Sequence, residues 1–256
     1  MSKQPIDATL GDKFNLKMLM YGAPGSGKTT FAGSYTHGPV HFYATDPQGV
    51  SVLRNTKAEI TVDNFTDELY GQTKTYPAFY KQLQKDEKDG FFQSMFEREG
   101  IIVIDSYTTL ENYLVDYVAE SVLKKKKQEG GAYEIRRQDW PTVSSYVLGF
   151  FKTISSLPCA TLIICHTKSI QDAENNIYFR PTILGQQAEQ APRWFSDYFQ
   201  ASLEGNQFIL RVRGNPRVPA SSRLFLPESN IDRLKGPTMD TIYKAFHGQK
   251  LDCKTI

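Results

Sequence analysis

The sequence predicts an α/β fold in which a mostly parallel central sheet is flanked by helices and followed by a late β-hairpin. Three observations predict it. The stretch Gly22-Ala23-Pro24-Gly25-Ser26-Gly27-Lys28-Thr29 fits the phosphate-binding pattern G-x-x-x-x-G-K-[ST] at every fixed position, between a strand pattern and a helix pattern. Ile101-Ile102-Val103-Ile104 is a run of β-favouring apolar residues, as in a strand buried on both faces of a parallel sheet. Strand patterns alternate with helix patterns along most of the chain, as crossover connections require.

Each element has its own signal. Residues 1–13 read as a loose arm. Leu16, Met18 and Met20, with Lys17, Leu19 and Tyr21 between them, read as a short buried strand, and Thr29 to Tyr35 opens a helix. Gly38-Pro39 breaks the chain before a second strand, Val40 to Thr45, which ends in the turn Asp46-Pro47-Gln48-Gly49. Residues 50–75 carry no clear period, apart from a short strand pattern at Ile60-Thr61-Val62. Tyr76 to Phe96 reads as two helical pieces, with Lys85 to Gly90 as a solvated turn between them. The strand at 101–104 leads into Asp105-Ser106. Thr108 to Glu111 then matches a capping box, and Leu110, Tyr113, Leu114, Tyr117 and Val118 form an amphipathic stripe. After Lys124 to Lys127 and Gly130-Gly131, Pro141 fits the first turn of another helix, which Pro158 stops. Ala160 to Cys165 reads as a buried strand ending at His166, with a polar segment behind it whose tip is Asn175-Asn176. Tyr198 to Leu203 and Phe208 to Val212 read as a hairpin turning at Gly205-Asn206. The expected organisation is an arm at 1–13, a core at 14–213 with an insertion at about 60–98, and a loop-rich extension at 214–256 containing Pro216, Pro219 and Pro227.

Composition narrows the class. The chain has 256 residues, 30 Lys and Arg against 28 Asp and Glu, so any nucleic-acid site must be a local patch. The three cysteines lack paired metal-ligand spacing and fit a reduced, cytoplasmic compartment. The N-terminus lacks a signal-peptide apolar core, and no apolar run reaches membrane-span length, so no membrane partner is expected.

The phosphate loop carries the chemistry. Its backbone N–H groups would converge on nucleotide phosphates, from Gly22, Ala23, Pro24, Gly25, Ser26 and Gly27 through Lys28 and Thr29 to Thr30. Lys28 would reach the β/γ-phosphates. Thr29 would hold Mg²⁺ directly, with Asp105 as the second contributor. Asp105 is followed by Ser106 rather than Glu, so the group that activates water must lie elsewhere. Asp46 is the candidate, on a strand expected beside the phosphate-loop strand. His166 is the candidate γ-phosphate sensor.

The order Gly22–Thr29, Asp46, Asp105-Ser106, His166 resembles the RecA-type ATPases, and more closely the compact phage nucleotide-binding proteins implicated in single-strand annealing and recombination. The resemblance covers roughly residues 14–213. It implies ATP and Mg²⁺ as cofactors, a ring or filament of identical subunits with ATP between them, a host-cell cytoplasmic location, and single-stranded DNA and a single-strand binding protein as partners. Two DNA-contacting loops are implied at about 124–140 and 167–185. The first contains Lys124, Lys125, Arg136, Arg137, Tyr133 and Trp140; the second contains Lys168, Tyr178 and Arg180. Basic residues interleaved with aromatics suit single strands. Arg211 and Arg213, on the late strand, resemble the cation that a neighbouring subunit supplies. This chain departs from the pattern at Asp46, where relatives carry Glu, which implies slow hydrolysis, and at His166, where they carry Gln. Two other classes fit the same loop: an assembly switch that uses ATP without DNA, and a nucleotide or small-molecule phosphotransferase with the 60–98 insertion as its lid. No N-K-x-D base-reading motif for GTP is present.

Overall fold

The computed structural model describes residues 13–46, 49–129, 131–185, 190–225 and 230–256. Most of the arm expected at 1–13 therefore lies outside the described residues, as do Pro47, Gln48, Gly130 and Pro227. The elements in order are β1 (Lys17–Gly22), α1 (Lys28–Ala32), β2 (Val40–Ala44), β3 (Ile60–Asn64), α2 (Asp67–Tyr70), α3 (Gln72–Lys88) and α4 (Phe91–Glu97). They continue with β4 (Ile101–Asp105), α5 (Tyr107–Tyr117), α6 (Trp140–Ser155), β5 (Ala160–Gln171), β6 (Ile177–Pro181), β7 (Asp197–Glu204) and β8 (Gln207–Arg211). The last are β9 (Ser221–Ser222), β10 (Arg233–Lys235), α7 (Met239–Phe246) and β11 (Lys254–Thr255).

The sheet order is β11-β10-β8-β7-β1-β5-β4-β2-β3, with β6 paired to β5 and β9 to β7. Strands β7, β1, β5, β4, β2 and β3 run parallel, and β8, β10 and β11 extend the sheet in antiparallel fashion. Alternation along β1 shows why both faces are buried. Leu19 and Tyr21 enter the core formed with α3, α4, α5 and α6, while Met18 and Met20 enter the one formed with α1 and α7. The product is the expected α/β architecture, a mostly parallel sheet between two helical layers, with β7 and β8 turning at Gly205 and Asn206 as the late hairpin.

The sheet order corrects one expectation. The strand that ends at Asp46 does not lie beside β1, because β5 and β4 stand between them. Strand order is a long-range property that no local pattern encodes. A second correction concerns β5. It does not stop at His166 but continues to Gln171, where it pairs with β6 as a projecting antiparallel ribbon. Asp172 and Asn176 close its tip, with Asn175 at φ 63°, so Asn175-Asn176 is at the turn as the sequence indicates.

Three smaller differences follow from packing. The helix-favouring charged run Lys85 to Lys88 stays helical in α3, and the turn is confined to Asp89-Gly90. The capping box expected at Thr108–Glu111 is not formed. Ser106 caps α5 by accepting from the Thr109 amide at 3.3 Å. The C-terminal part, expected to be loop-rich, contributes β10 to the sheet and buries Met239 and Ile242 of α7 against its face. Among the described residues no helix is long and apolar enough to cross a membrane.

Candidate nucleotide-binding site

The site is assembled at the carboxyl ends of β1, β4, β2 and β5, where open α/β sheets bind ligands. β1 delivers the chain into the loop at Gly22, where a Cβ would lie 2.4 Å from the Ala201 carbonyl oxygen of β7, so only glycine fits. At its other end Gly27 takes φ 87° and leads into α1, whose first amides have no side-chain cap. Uncapped amides after a left-handed glycine suit the oxygens of a phosphate.

Lys28 is buried. Its Nζ donates to the carbonyls of Gly22 at 2.9 Å and Ala23 at 2.8 Å, which holds the ammonium over the loop. Burial lowers its pKa, and Asp105 opposes that shift. The Thr29 hydroxyl donates to Asp105 Oδ2 at 2.6 Å, bringing together the two groups that the sequence assigns to a metal ion. Asp105 is itself buried, and desolvation raises its pKa; Thr29 and Lys28 pull the other way, and Asp46 adds to the rise. These donors fit the group the sequence implies. A hydroxyl, a desolvated carboxylate and a nearby ammonium are oxygen ligands and a phosphate partner for Mg²⁺-ATP, and a divalent cation would favour the ionised carboxylate.

β2 pairs with β4, Ala44 opposite Asp105, which brings Asp46 to this site, and the strand end is fixed by Thr45, which sequence reasoning passed over. Its hydroxyl donates to the Ser106 carbonyl at 2.8 Å and accepts from the Ser106 amide at 3.0 Å, pinning the end of β2 to the start of α5. Asp46 is exposed at the mouth, and its charge bears on both Asp105 and His166. His166 lies opposite Gly22 in the β1–β5 register. Its Nδ1 is buried with no hydrogen-bond partner. Burial lowers the pKa of the ring, Lys28 lowers it further, and Asp46 opposes.

The base of the β5–β6 ribbon is fastened to α5. Thr108 Oγ1 accepts from the His166 amide at 2.9 Å and donates to the Thr182 carbonyl at 3.2 Å. The buried Glu111 carboxylate accepts the Leu184 amide at 3.0 Å and the Tyr107 hydroxyl at 2.9 Å. Glu111 thus serves this contact and forms no part of the expected capping box.

The basic residues are placed less uniformly. Lys168 Nζ donates to the Ile183 carbonyl at 3.2 Å, and the Arg180 guanidinium lies 5.5 Å from the centre of the Tyr178 ring while donating to backbone carbonyls at 179, 216 and 217. Lys125 pairs with Asp139 at 2.7 Å and Arg136 with Glu134 at 3.3 Å. Lys124 and Arg137 are exposed, and Arg137 and Trp140 border Leu184 and Gly185 just beyond the ribbon. Arg211 lines a cavity beside the same chain's phosphate loop, together with Ala23 to Ser26 and Phe179. Arg213 is not on the late strand, which ends at Arg211; it follows the strand and pairs with Asp232 at 3.1 Å.

A family model described as an AAA domain matches residues 14–224. The chain belongs to that family. The AAA domain therefore spans the phosphate loop, Asp105 and the β5–β6 ribbon, and the chain carries a P-loop ATPase domain of AAA type, a class that uses ATP and Mg²⁺. Solved structures that match include the flagellar accessory protein FlaH from Methanocaldococcus jannaschii, at 12% identity and a TM-score of 0.41, over 92% of this chain and 91% of that one. None of the curated proteins searched matches the chain.

Proposed function

We propose that the protein is a RecA-like, Mg²⁺-dependent ATPase that binds single-stranded DNA in phage recombination or annealing, with ATP held where subunits meet. The observation that carries the ATPase reading is the 2.6 Å hydrogen bond from Thr29 to Asp105 beside the Lys28 ammonium. Bound Mg²⁺ would neutralise charge on the transferring phosphoryl group. Lys28 would bind the phosphate oxygens. His166, with its unpartnered Nδ1, would hydrogen-bond the terminal phosphate. Asp46, at the mouth, would orient and deprotonate water. Stabilising developing charge in such a desolvated site is the main catalytic task.

Support for single-stranded DNA comes from two surfaces that border α5. One is the ribbon with Lys168, Tyr178 and Arg180; the other is the segment carrying Lys124, Lys125, Arg136 and Arg137. Tyr178 and Trp140 offer stacking rings between their charges. ATP hydrolysis measured with and without single-stranded DNA, beside Lys28→Ala, tests the reading. DNA should stimulate hydrolysis, and the mutant should lose it. Lys28-dependent hydrolysis indifferent to DNA would refute the DNA-coupled function.

A further inference from the structure

Between α3, α5 and α6 runs a groove of about 560 Å³ that the nucleotide site does not use. Tyr76, Tyr80, Tyr117 and Tyr146 line it, Lys81 and Lys152 are its charged residues, and its lining contains no carboxylate. Gly149 opens it further. This glycine sits in the interior of α6, where glycine weakens a helix, and a Cβ built on it would meet nothing within 4 Å.

The same chain carries a feature of opposite charge and shape. The short helix α2 is Asp67-Glu68-Leu69-Tyr70, and all four residues are exposed. Leu69, at 63% exposure, is the most exposed of the large apolar side chains among the described residues. Gly71, at φ 81°, sets this acidic, apolar knob apart from α3. A single turn that shows two carboxylates and two large apolar groups to solvent gains most by burial against a basic, aromatic surface.

We propose that the α2 knob of one copy docks into the tyrosine-lined groove of a second copy, with Asp67 and Glu68 facing Lys81 and Lys152. Leu69 supplies the apolar contact, and the lysine–carboxylate pairs fix the orientation. Gly71 joins the knob to α3, one wall of the groove, and a contact in which each copy gives its knob to the other would bury both pairs of surfaces. Asp67 and Glu68 also border the cavity that contains Asp46, which places this contact next to the mouth of the nucleotide site. The inference does not rest on ATP hydrolysis or on DNA.

Sedimentation velocity of the full chain, over a wide range of concentration and without nucleotide, is the test. Wild-type protein should self-associate. The knob reversal (Asp67→Lys with Glu68→Lys), the groove reversal (Lys81→Glu with Lys152→Glu) and Gly149→Phe should each weaken association at least about tenfold. All are surface changes, and circular-dichroism melts check that each variant is folded. A chain carrying both reversals should recover association, because the charges are exchanged. Monomeric wild type, reversals without effect, or no recovery in the exchanged chain would overturn the proposal. So would binding of a thymidine oligonucleotide that the groove reversal abolishes while self-association persists, since that would place nucleic acid in the groove.

Discussion

Glu111 gives a prediction whose size follows from the structure. Glu111 is 3% exposed, and burial pushes its pKa from 4.5 up to about 7, against the hydrogen bonds from Leu184 and Tyr107 and the charge of Lys168. Tyr107 and Cys165 also face it, and burial pushes both of their pKa values up, so they stay neutral. Between the two values the unfolded chain has released the proton and the native protein still holds it. Native Glu111 therefore stabilises the fold fully below the unfolded pKa, and this contribution is lost as pH rises through about 7. At about 1.4 kcal/mol per pH unit between 4.5 and about 7, the loss reaches about 3 kcal/mol by pH 8. Glu111→Gln keeps the shape and an oxygen to accept the Leu184 amide, but it cannot titrate. Urea unfolding at pH 5 and pH 8 measures the effect. At pH 5 the two proteins should differ by no more than about 1 kcal/mol. At pH 8 the variant should be the more stable by about 3 kcal/mol. An equal difference at the two pH values would refute the buried, neutral carboxyl.

Two further predictions concern the nucleotide site. Gly22→Ala puts a Cβ 2.4 Å from the Ala201 carbonyl and 2.8 Å from Ser26 Oγ, so β1 and β7 must part. Overpacking of this kind costs about 1–3 kcal/mol, so the melting midpoint should fall by several degrees and binding of a fluorescent ATP analogue should weaken; an unchanged melt and titration would count against the close approach. Thr29→Val removes the hydroxyl that donates to Asp105, and should raise the Mg²⁺ concentration needed for ATP hydrolysis by at least about tenfold, whereas Thr29→Ser should not. A valine variant with a wild-type Mg²⁺ titration would remove Thr29 from the metal site.

What was legible in the sequence was what neighbouring residues settle among themselves. Gly22 to Thr29 fix their own loop. Ile101 to Asp105 read as a doubly buried strand because an apolar run has no solvent face. Gly205-Asn206 turns its hairpin through its own backbone preference. What escaped depends on contacts between distant parts of the chain. Asp46 was expected beside β1 and instead comes to Asp105 because β2 pairs with β4, a strand order with no trace in local pattern, and Thr45 then fixes the strand end to Ser106. β10 has only one apolar residue, Leu234, and becomes a strand because β8 offers it an open edge. The prolines of the C-terminal part suggested loops, while α7 is held by burial of Met239 and Ile242.

The same distinction bears on how the nucleotide site and the ribbon proposed to bind DNA would communicate. Coupling requires an element whose position both sites bias. Two connections link them here. One is β5 itself, which carries His166 at the phosphate end and becomes the basic ribbon without a break. The other is α5, which starts at Ser106 beside Asp105 and fastens both strands of the ribbon base through Thr108, and Leu184 beyond it through Glu111. A shift of His166 alone would be resisted by Thr108, and a shift of α5 alone by the β4–β5 register. In the function proposed above, a shift of either connection would be passed to the other, so phosphate at His166 and metal at Asp105 would act on the ribbon together.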